Sequence, residues 1–197
     1  GAGSWGESTW GTPRAESSAD VSLENSSWNL NLWGEDLIAA IRNGAIYYWD
    51  TSGGIGNRAS LVSTIADAAG VPSIVRTTTI SFPDRHFIAG GCQEYAVGGG
   101  GDVDPMLVRW SNQEDFTVFG PTALNTAGDQ RLQIGTKIVA MVSSREETII
   151  STDEAIYGMT FVGNPFIFSF RLLGTDCGAS GLNTMINIDG DVYWMGR

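Results

Sequence analysis

The sequence predicts an all-β protein, a β-propeller-like array of four-stranded antiparallel blades of which this chain supplies about three to four. The first observation is Asn43-Gly44 between two apolar runs, because Asn-Gly favours the positive φ angles of a tight hairpin turn. The second is the return of this hairpin at intervals of about 50 residues, with Ile38, Ile88 and Ile138 in matching places. The third is composition, since 26 glycines favour short strands joined by tight turns.

The chain divides into a leading segment and four predicted units. Residues 1–35 hold three Trp-Gly pairs, and we expect an arm or a pairing strand there, with the strand at residues 28–33. The units are expected at about 36–80, 86–134, 137–173 and 184–197, the last of them partial. Their hairpins are residues 36–42 with 45–50, 86–91 with 106–111, 137–143 with 148–153, and 185–188 with 192–195. Because the chain starts without Met and stops inside the fourth unit, we expect a fragment of a longer protein.

The third unit shows four strands without insertions. They are expected at Ile138–Ser143, Thr148–Thr152, Ala155–Val162 and Phe166–Leu173. Strict alternation in the last strand places Phe166, Phe168, Phe170 and Leu172 on one face, with Ile167 on the other. We expect this aromatic stripe to pack between blades. Glu146 and Glu147 fall at a hairpin tip, where exposure to solvent accounts for two charged residues.

The second unit carries the side chains that most invite a functional interpretation. Trp110 and Phe116 flank a polar turn, and we expect both rings to pack between neighbouring sheets. His86 is the only histidine, and no nucleophile turn of the G-x-S-x-G type accompanies it, so a structural or solvent-facing role is expected. Asp102 and Asp104 could bind a calcium ion, but the spacing of a calcium loop is absent and a surface loop is the main expectation.

A glycine motif in the first unit matches one part of a nucleotide-binding pattern, but the rest of that pattern is absent. Gly54-Ile-Gly56-Asn-Arg-Ala59 fits the G-x-G-x-x-A pattern that follows a strand in dinucleotide-binding folds. Such folds place an acidic residue at the end of the next strand, where this chain has Thr77-Thr-Thr-Ile80. We therefore expect an inter-strand connection and no bound cofactor.

Charge and cysteine content exclude several function classes. The net charge of −11 and pI near 4.3 argue against a surface that grips nucleic acid or anionic lipid. No apolar run is long enough for a membrane span, so no membrane partner is expected. Cys92 and Cys177 are expected to be buried thiols without a disulfide framework or a zinc site. The 22 acidic residues are scattered at turns, so we expect no catalytic, cofactor or metal site and no enzymatic activity.

Short sequence segments between about residue 28 and residue 196 resemble segments of tail nozzle, or tail tubular B, proteins of short-tailed bacteriophages. They are Trp33-Gly-Glu-Asp-Leu-Ile-Ala-Ala40, Ile46-Tyr-Tyr-Trp-Asp50, Pro83-Asp-Arg-His86, Asp104-Pro-Met-Leu-Val-Arg-Trp-Ser111, Asp115-Phe116, Asn125-Thr-Ala-Gly128, Thr152-Asp-Glu-Ala-Ile-Tyr157, Phe161-Val-Gly-Asn-Pro-Phe166 and Tyr193-Trp-Met-Gly196. None of these segments is a chemical motif. Nozzle proteins are also much longer than this chain.

The resemblance implies a structural subunit of the virion. It implies a β-propeller that assembles as a homo-oligomeric ring, usually of six copies, at the tip of the phage tail. The implied partners are other tail proteins, such as the adaptor and tail fibres, and the genomic DNA that passes without specific binding. Two alternatives stay open: a propeller that binds glycan or protein through its loops, and, less favoured, a propeller hydrolase.

Overall fold

The computed structural model describes residues 27–82 and 84–196, and these residues form antiparallel sheets of two to four strands. Sheet 1 contains β1 (Trp28–Trp33), β2 (Asp36–Ile41), β3 (Ile46–Trp49) and β4 (Ser60–Leu61). Sheet 2 contains β5 (Thr77–Ile80), β6 (Phe87–Gln93), β7 (Val103–Trp110) and β8 (Gly128–Arg131). Sheet 3 contains β9 (Ile138–Ser143), β10 (Thr148–Thr152), β11 (Ala155–Gly163) and β12 (Ile167–Thr175). A final hairpin, sheet 4, contains β13 (Met185–Ile188) and β14 (Asp191–Trp194). The all-β prediction is therefore confirmed.

The four sheets follow one another in chain order through their first strands. Each sheet is a simple meander in which every strand pairs with the next one along the chain. β1 contacts β5, β5 contacts β9, and β9 contacts β13. The first strands therefore lie side by side, and the later strands of each sheet lead away from them.

The hairpin at Asn43-Gly44 forms as predicted, although its turn is of a different type. Asn43 has a φ of 57°, whereas Gly44 is not among the residues with positive φ. The turn pairs with Val75: the Asn43 N–H donates to the Val75 carbonyl (2.8 Å), and the Val75 N–H donates to the Gly44 carbonyl (2.9 Å). A Cβ at Gly44 would collide with the side chain of Ile41, so close packing explains the glycine.

The sheet boundaries differ from the predicted units by one strand. The strand at 28–33 forms and pairs with β2, so sheet 1 begins before residue 36. β5, which falls in the predicted unit 36–80, pairs with β6 and opens sheet 2. The predicted hairpins are consequently not equivalent. Each of the first two hairpins supplies the second and third strands of its sheet, whereas each of the last two supplies the first and second strands. Ile138 therefore occupies a different strand position from Ile38 and Ile88.

Three apolar clusters form the core of the described residues, and the two larger ones lie between sheets 1 and 2 and between sheets 2 and 3. The cluster between sheets 1 and 2 includes Ile38, Ile46, Phe87 and Leu107. The cluster between sheets 2 and 3 includes Ile88, Val108, Trp110, Ile150 and Phe168. Neighbouring residues of β6, such as Phe87 and Ile88, point into different clusters because successive side chains of a strand face opposite ways. Sheet 2 is thus covered on both faces.

Both aromatic residues singled out in the second unit pack between sheets, as predicted. Trp110 lies 5.2 Å from Phe168 of sheet 3, ring centre to ring centre. Phe116 lies 5.3 Å from Trp33 and 4.8 Å from Tyr48, both in sheet 1. These edge-on and tilted contacts join three sheets.

The four strands of the third unit are confirmed, but the predicted alternation in its last strand is wrong. Phe166 precedes β12 and is 78% exposed, while Ile167 and Phe168 are both buried. Ile167 has a φ of 58°, and the pairing of β11 with β12 shifts register at this point. Such a bulge brings two successive side chains to the same side, which alternation alone does not anticipate. Leu172 is 45% exposed rather than part of a buried stripe.

Candidate functional site

The candidate site is a cavity of about 530 Å³ at the shared end of the four first strands. We call it the strand-end cavity. Its lining residues are Leu32, Ile80, Ser81, Phe82, Arg85, Ser143, Ser144, Arg145 and Asn187. They belong to the last residues of the first strands or to the turns that follow β5 and β9. All four sheets therefore contribute to one opening.

Local hydrogen bonding fixes the turns that carry the charged residues of the cavity. The Ser144 N–H donates to the Glu147 carbonyl (2.8 Å), which closes a two-residue turn and holds Arg145 at its tip. In the turn after β5, the Ser81 N–H donates to the His86 carbonyl (2.9 Å), and the His86 N–H donates to Ser81 Oγ (2.9 Å). Both turns are closed by their own backbone, so the cavity rim is built from short, constrained segments.

The uncharged polar side chains of the wall are bonded to neighbouring sheets. The Asn187 amide donates to the Ser143 carbonyl (2.8 Å), and the Ser144 hydroxyl donates to the Gly190 carbonyl (2.8 Å). The Ser143 hydroxyl bonds the carbonyl of Ile80. These bonds join sheets 2, 3 and 4 along the wall of the cavity.

The two arginines differ in what they contact. Arg85 forms an ion pair with Glu114 at 3.1 Å and lies 4.6 Å above the ring of Trp33. Arg145 is exposed and has no hydrogen-bond or ion-pair partner among residues 27–82 and 84–196. Neither arginine faces a carboxylate in the lining itself. The cavity is therefore a basic spot on a chain whose net charge is −11.

His86 is a buried structural residue, and the solvent-facing alternative is wrong. Its Nδ1 lies 2.6 Å from Asp84 Oδ2, and its Nε2 lies 3.0 Å from the hydroxyl of Thr126. The ring is fully buried and packs edge-on against Phe168. Burial raises the pKa of Asp84, but hydrogen bonds from His86 and Ser81 outweigh it, and the net pKa is lowered. This network fixes the turn before β6.

The hydrogen-bonded series Thr126, His86 and Asp84 resembles a nucleophile, a base and an orienting acid. Its hydrogen bonds, however, connect parts of the fold. The Thr126 hydroxyl also accepts from the Gln113 N–H (2.8 Å) and lies 3.1 Å from Asn112 Oδ1. None of these three residues lines the strand-end cavity. The arrangement ties the loop before β8 to the turn before β6.

The glycine motif of the first unit lies in a connection, as predicted. A short 3-10 turn, Thr51–Gly53, follows β3, and Asp50 caps it by accepting from the Ser52 N–H (2.8 Å). The residues after the motif form β4 and a second 3-10 turn rather than an α-helix. A dinucleotide fold needs a helix N-terminus at this point to face the phosphates.

Asp104 is bonded to neighbouring groups, whereas Asp102 is exposed. The carboxylate of Asp104 accepts from the Met106 N–H (2.8 Å) and pairs with Arg131 Nε (2.6 Å). Asp102 lies in the exposed loop before β7. Within the described part of the chain, no three His, Cys, Asp or Glu side chains are grouped as metal ligands would be.

Both cysteines are free thiols, and only one of them is buried. Cys92 is fully buried in the cluster between sheets 1 and 2, and burial raises its pKa to about 12. Cys177 is half-buried, contrary to the prediction. It follows the end of β12, where the chain leaves the sheet, and its carbonyl accepts from Trp194 Nε1 (2.8 Å).

A smaller cavity of about 270 Å³ lies between sheet 3 and the final hairpin. Its lining includes Glu147, Leu173, Cys177, Asp191 and Trp194. Of the two glutamates expected at a solvated tip, Glu146 is exposed. Glu147 is instead half-buried and forms an ion pair with Arg171 at 3.3 Å.

The sequence offered no signal for the strand-end cavity. Arg85 and Arg145 are 60 positions apart, in turns that look like ordinary hairpin connections. Only the adjacency of the first strands brings them to one opening.

The described residues include no helix that is long and apolar enough to cross a membrane. Comparison with known proteins adds no relative: no protein-family model matches the chain, and no curated protein matches it.

Proposed function

We propose that this chain is a structural module of β-propeller type and that further sheets complete its ring. Consecutive four-stranded meanders with adjacent first strands are the arrangement of propeller blades. Sheets 1, 2 and 3 each have four strands, and the final hairpin supplies the first two strands of a fourth blade. The chain then carries about three and a half blades.

The observation that carries this proposal is the apolar surface at both ends of the series of sheets. On the face of sheet 1 that points away from sheet 2, Trp28, Leu30 and Leu32 are between 50% and 72% exposed. On the outer face of the last hairpin, Ile186 and Tyr193 are each more than half exposed. Sheet faces of this composition are buried at the internal interfaces of the same chain. Contiguous exposed apolar surface of this kind marks an interaction site.

The proposed setting is the tail of a short-tailed bacteriophage. The resemblance of the sequence to tail nozzle proteins supports a homo-oligomeric ring, with six copies expected, that contacts adaptor and tail-fibre proteins. In that setting the chain forms part of the conduit for the genome. A net charge of −11 suits such a conduit, because like charge keeps the phosphate backbone from adhering. No catalytic role is proposed.

Electron microscopy of the full-length protein and of the source particle tests this proposal. A ring of about six copies around a pore at the tail tip supports it. A single self-contained disc, or a particle without this protein in its tail, contradicts it. Tight, salt-sensitive binding of duplex DNA by the isolated protein would contradict the proposed passive conduit.

A second candidate is a binding module that recognises a glycan or a protein through its loops. The strand-end cavity favours it, because its charged rim groups lie on the turns after β5 and β9. Titration of the protein with cell-envelope sugars, followed by tryptophan fluorescence, separates the two candidates. Saturable binding at the cavity supports the second one, and its absence leaves the structural module alone.

A further inference from the structure

We propose that the strand-end cavity binds a small carboxylate-bearing saccharide, of the uronic acid class. This inference deepens the second candidate function and does not depend on the phage assignment. It rests on three properties of the cavity: an unpaired guanidinium, an apolar side, and a lining without carboxylates.

Arg145 provides the anion contact. Its guanidinium stands at the tip of a two-residue turn, exposed and without a partner among the described residues. A guanidinium presents parallel N–H donors that match the two oxygens of a carboxylate, and such bidentate pairs are among the strongest hydrogen-bonded contacts. Arg85 adds positive charge across the opening, although its ion pair with Glu114 leaves it fewer N–H donors for a ligand.

Phe82 provides the apolar contact. It is 62% exposed and lines the same cavity as the arginines. The C–H face of a pyranose ring packs against apolar and aromatic surfaces, and sites for small ligands combine such surface with a few placed polar groups. A volume of about 530 Å³ accommodates one or two sugar rings.

The charge of the whole chain argues for a ligand with a single anionic group. The cavity offers two guanidinium groups, one of them already paired, while the protein as a whole carries a net charge of −11. A long polyanion would approach this acidic surface against repulsion that two arginines do not offset. A single carboxylate makes use of the local charge without meeting the surrounding acidic residues.

Calorimetric titration of the chain with glucuronate at low ionic strength tests the inference, with glucose and inorganic phosphate as matched probes. We expect saturable glucuronate binding with a Kd of about 1 mM, and no measurable binding of glucose. R145A should weaken glucuronate binding about tenfold or more, since charged hydrogen bonds are lost. R58A removes the same charge from an exposed arginine outside the cavity and should change the affinity less than about twofold.

Four results would overturn the inference. They are no saturable glucuronate binding by the wild-type chain, equal affinity for glucose and glucuronate, equal losses in R145A and R58A, and phosphate binding as tight as glucuronate binding. The last result would indicate a general anion site. Arg145 is exposed and makes no hydrogen bond or ion pair within the described residues, so R145A should fold normally, and circular dichroism checks this. A negative titration would not bear on the copy number that microscopy measures, so the two proposals fail separately.

Discussion

Replacement of Phe168 by alanine tests the packing between sheets 2 and 3. The side chain is 6% exposed and belongs to the apolar cluster between these sheets. Its ring lies 5.2 Å from Trp110, 5.0 Å from His86 and 5.6 Å from Phe161. Truncation of a buried phenylalanine costs about 3–5 kcal/mol, because apolar contacts are lost and a cavity remains. We expect F168A to lie within this range, since three ring contacts disappear together.

Phe166 supplies a matched control in the same segment. It has the same side chain, lies two positions away, and is 78% exposed. Removal of an exposed side chain changes the free energy of unfolding by less than about 0.5 kcal/mol. Strict strand alternation predicts equal burial for the two rings, whereas the bulge at Ile167 predicts very different costs.

Urea denaturation of both variants, followed by tryptophan fluorescence, measures the difference. Trp110 packs directly on Phe168, so its emission reports on this interface. With a urea dependence of about 2–3 kcal/mol/M, the F168A midpoint should fall by roughly 1–2.5 M and the F166A midpoint by about 0.25 M or less. Equal destabilisation by F166A and F168A would refute the bulge and the assigned packing.

Three further predictions concern buried polar groups. R109M should lower the free energy of unfolding by about 3 kcal/mol or more, because the buried guanidinium donates to the carbonyls of three segments that would lose their donor; urea denaturation measures it. D84N should be less stable than wild type at pH 7, and this difference should shrink below about pH 4: the lowered folded-state pKa contributes stability above the unfolded-state pKa, and that stability is lost as the carboxylate becomes protonated. Ellman's reagent should modify Cys177 in the native protein and Cys92 only after unfolding, because Cys92 is fully buried and burial raises its pKa to about 12.

Each of these predictions has its own control. R131M removes an exposed arginine paired with Asp104 and should cost no more than about 1 kcal/mol, so a loss as large as that of R109M would contradict the buried role. A difference between wild type and D84N that stays constant from pH 7 to pH 3 would contradict the hydrogen-bonded carboxylate. Rapid reaction of two thiols per native chain would contradict the burial of Cys92.

Local sequence patterns were sufficient to place most strands and the turns between them. The Asn43-Gly44 hairpin and the four strands of sheet 3 were predictable because turn residues and side-chain alternation act over a few neighbouring positions. The structural role of His86 and the packing of Trp110 and Phe116 were also predictable, since large or polar groups beside apolar strands need partners. The phage assignment and the absence of enzymatic activity stay predictions.

The grouping of the strands into sheets and the contacts between distant side chains became clear only from the three-dimensional packing. The sequence of an apolar hairpin is the same whether it supplies the first two strands of a sheet or the middle two. The strand that pairs with β5 could therefore not be identified from the sequence. The bulge before Phe168 depends on the pairing of β11 with β12. Arg85 and Arg145 reach one cavity because the first strands of consecutive sheets lie side by side. Local sequence patterns encode the elements, whereas the contacts between distant elements arise from packing that no short pattern contains.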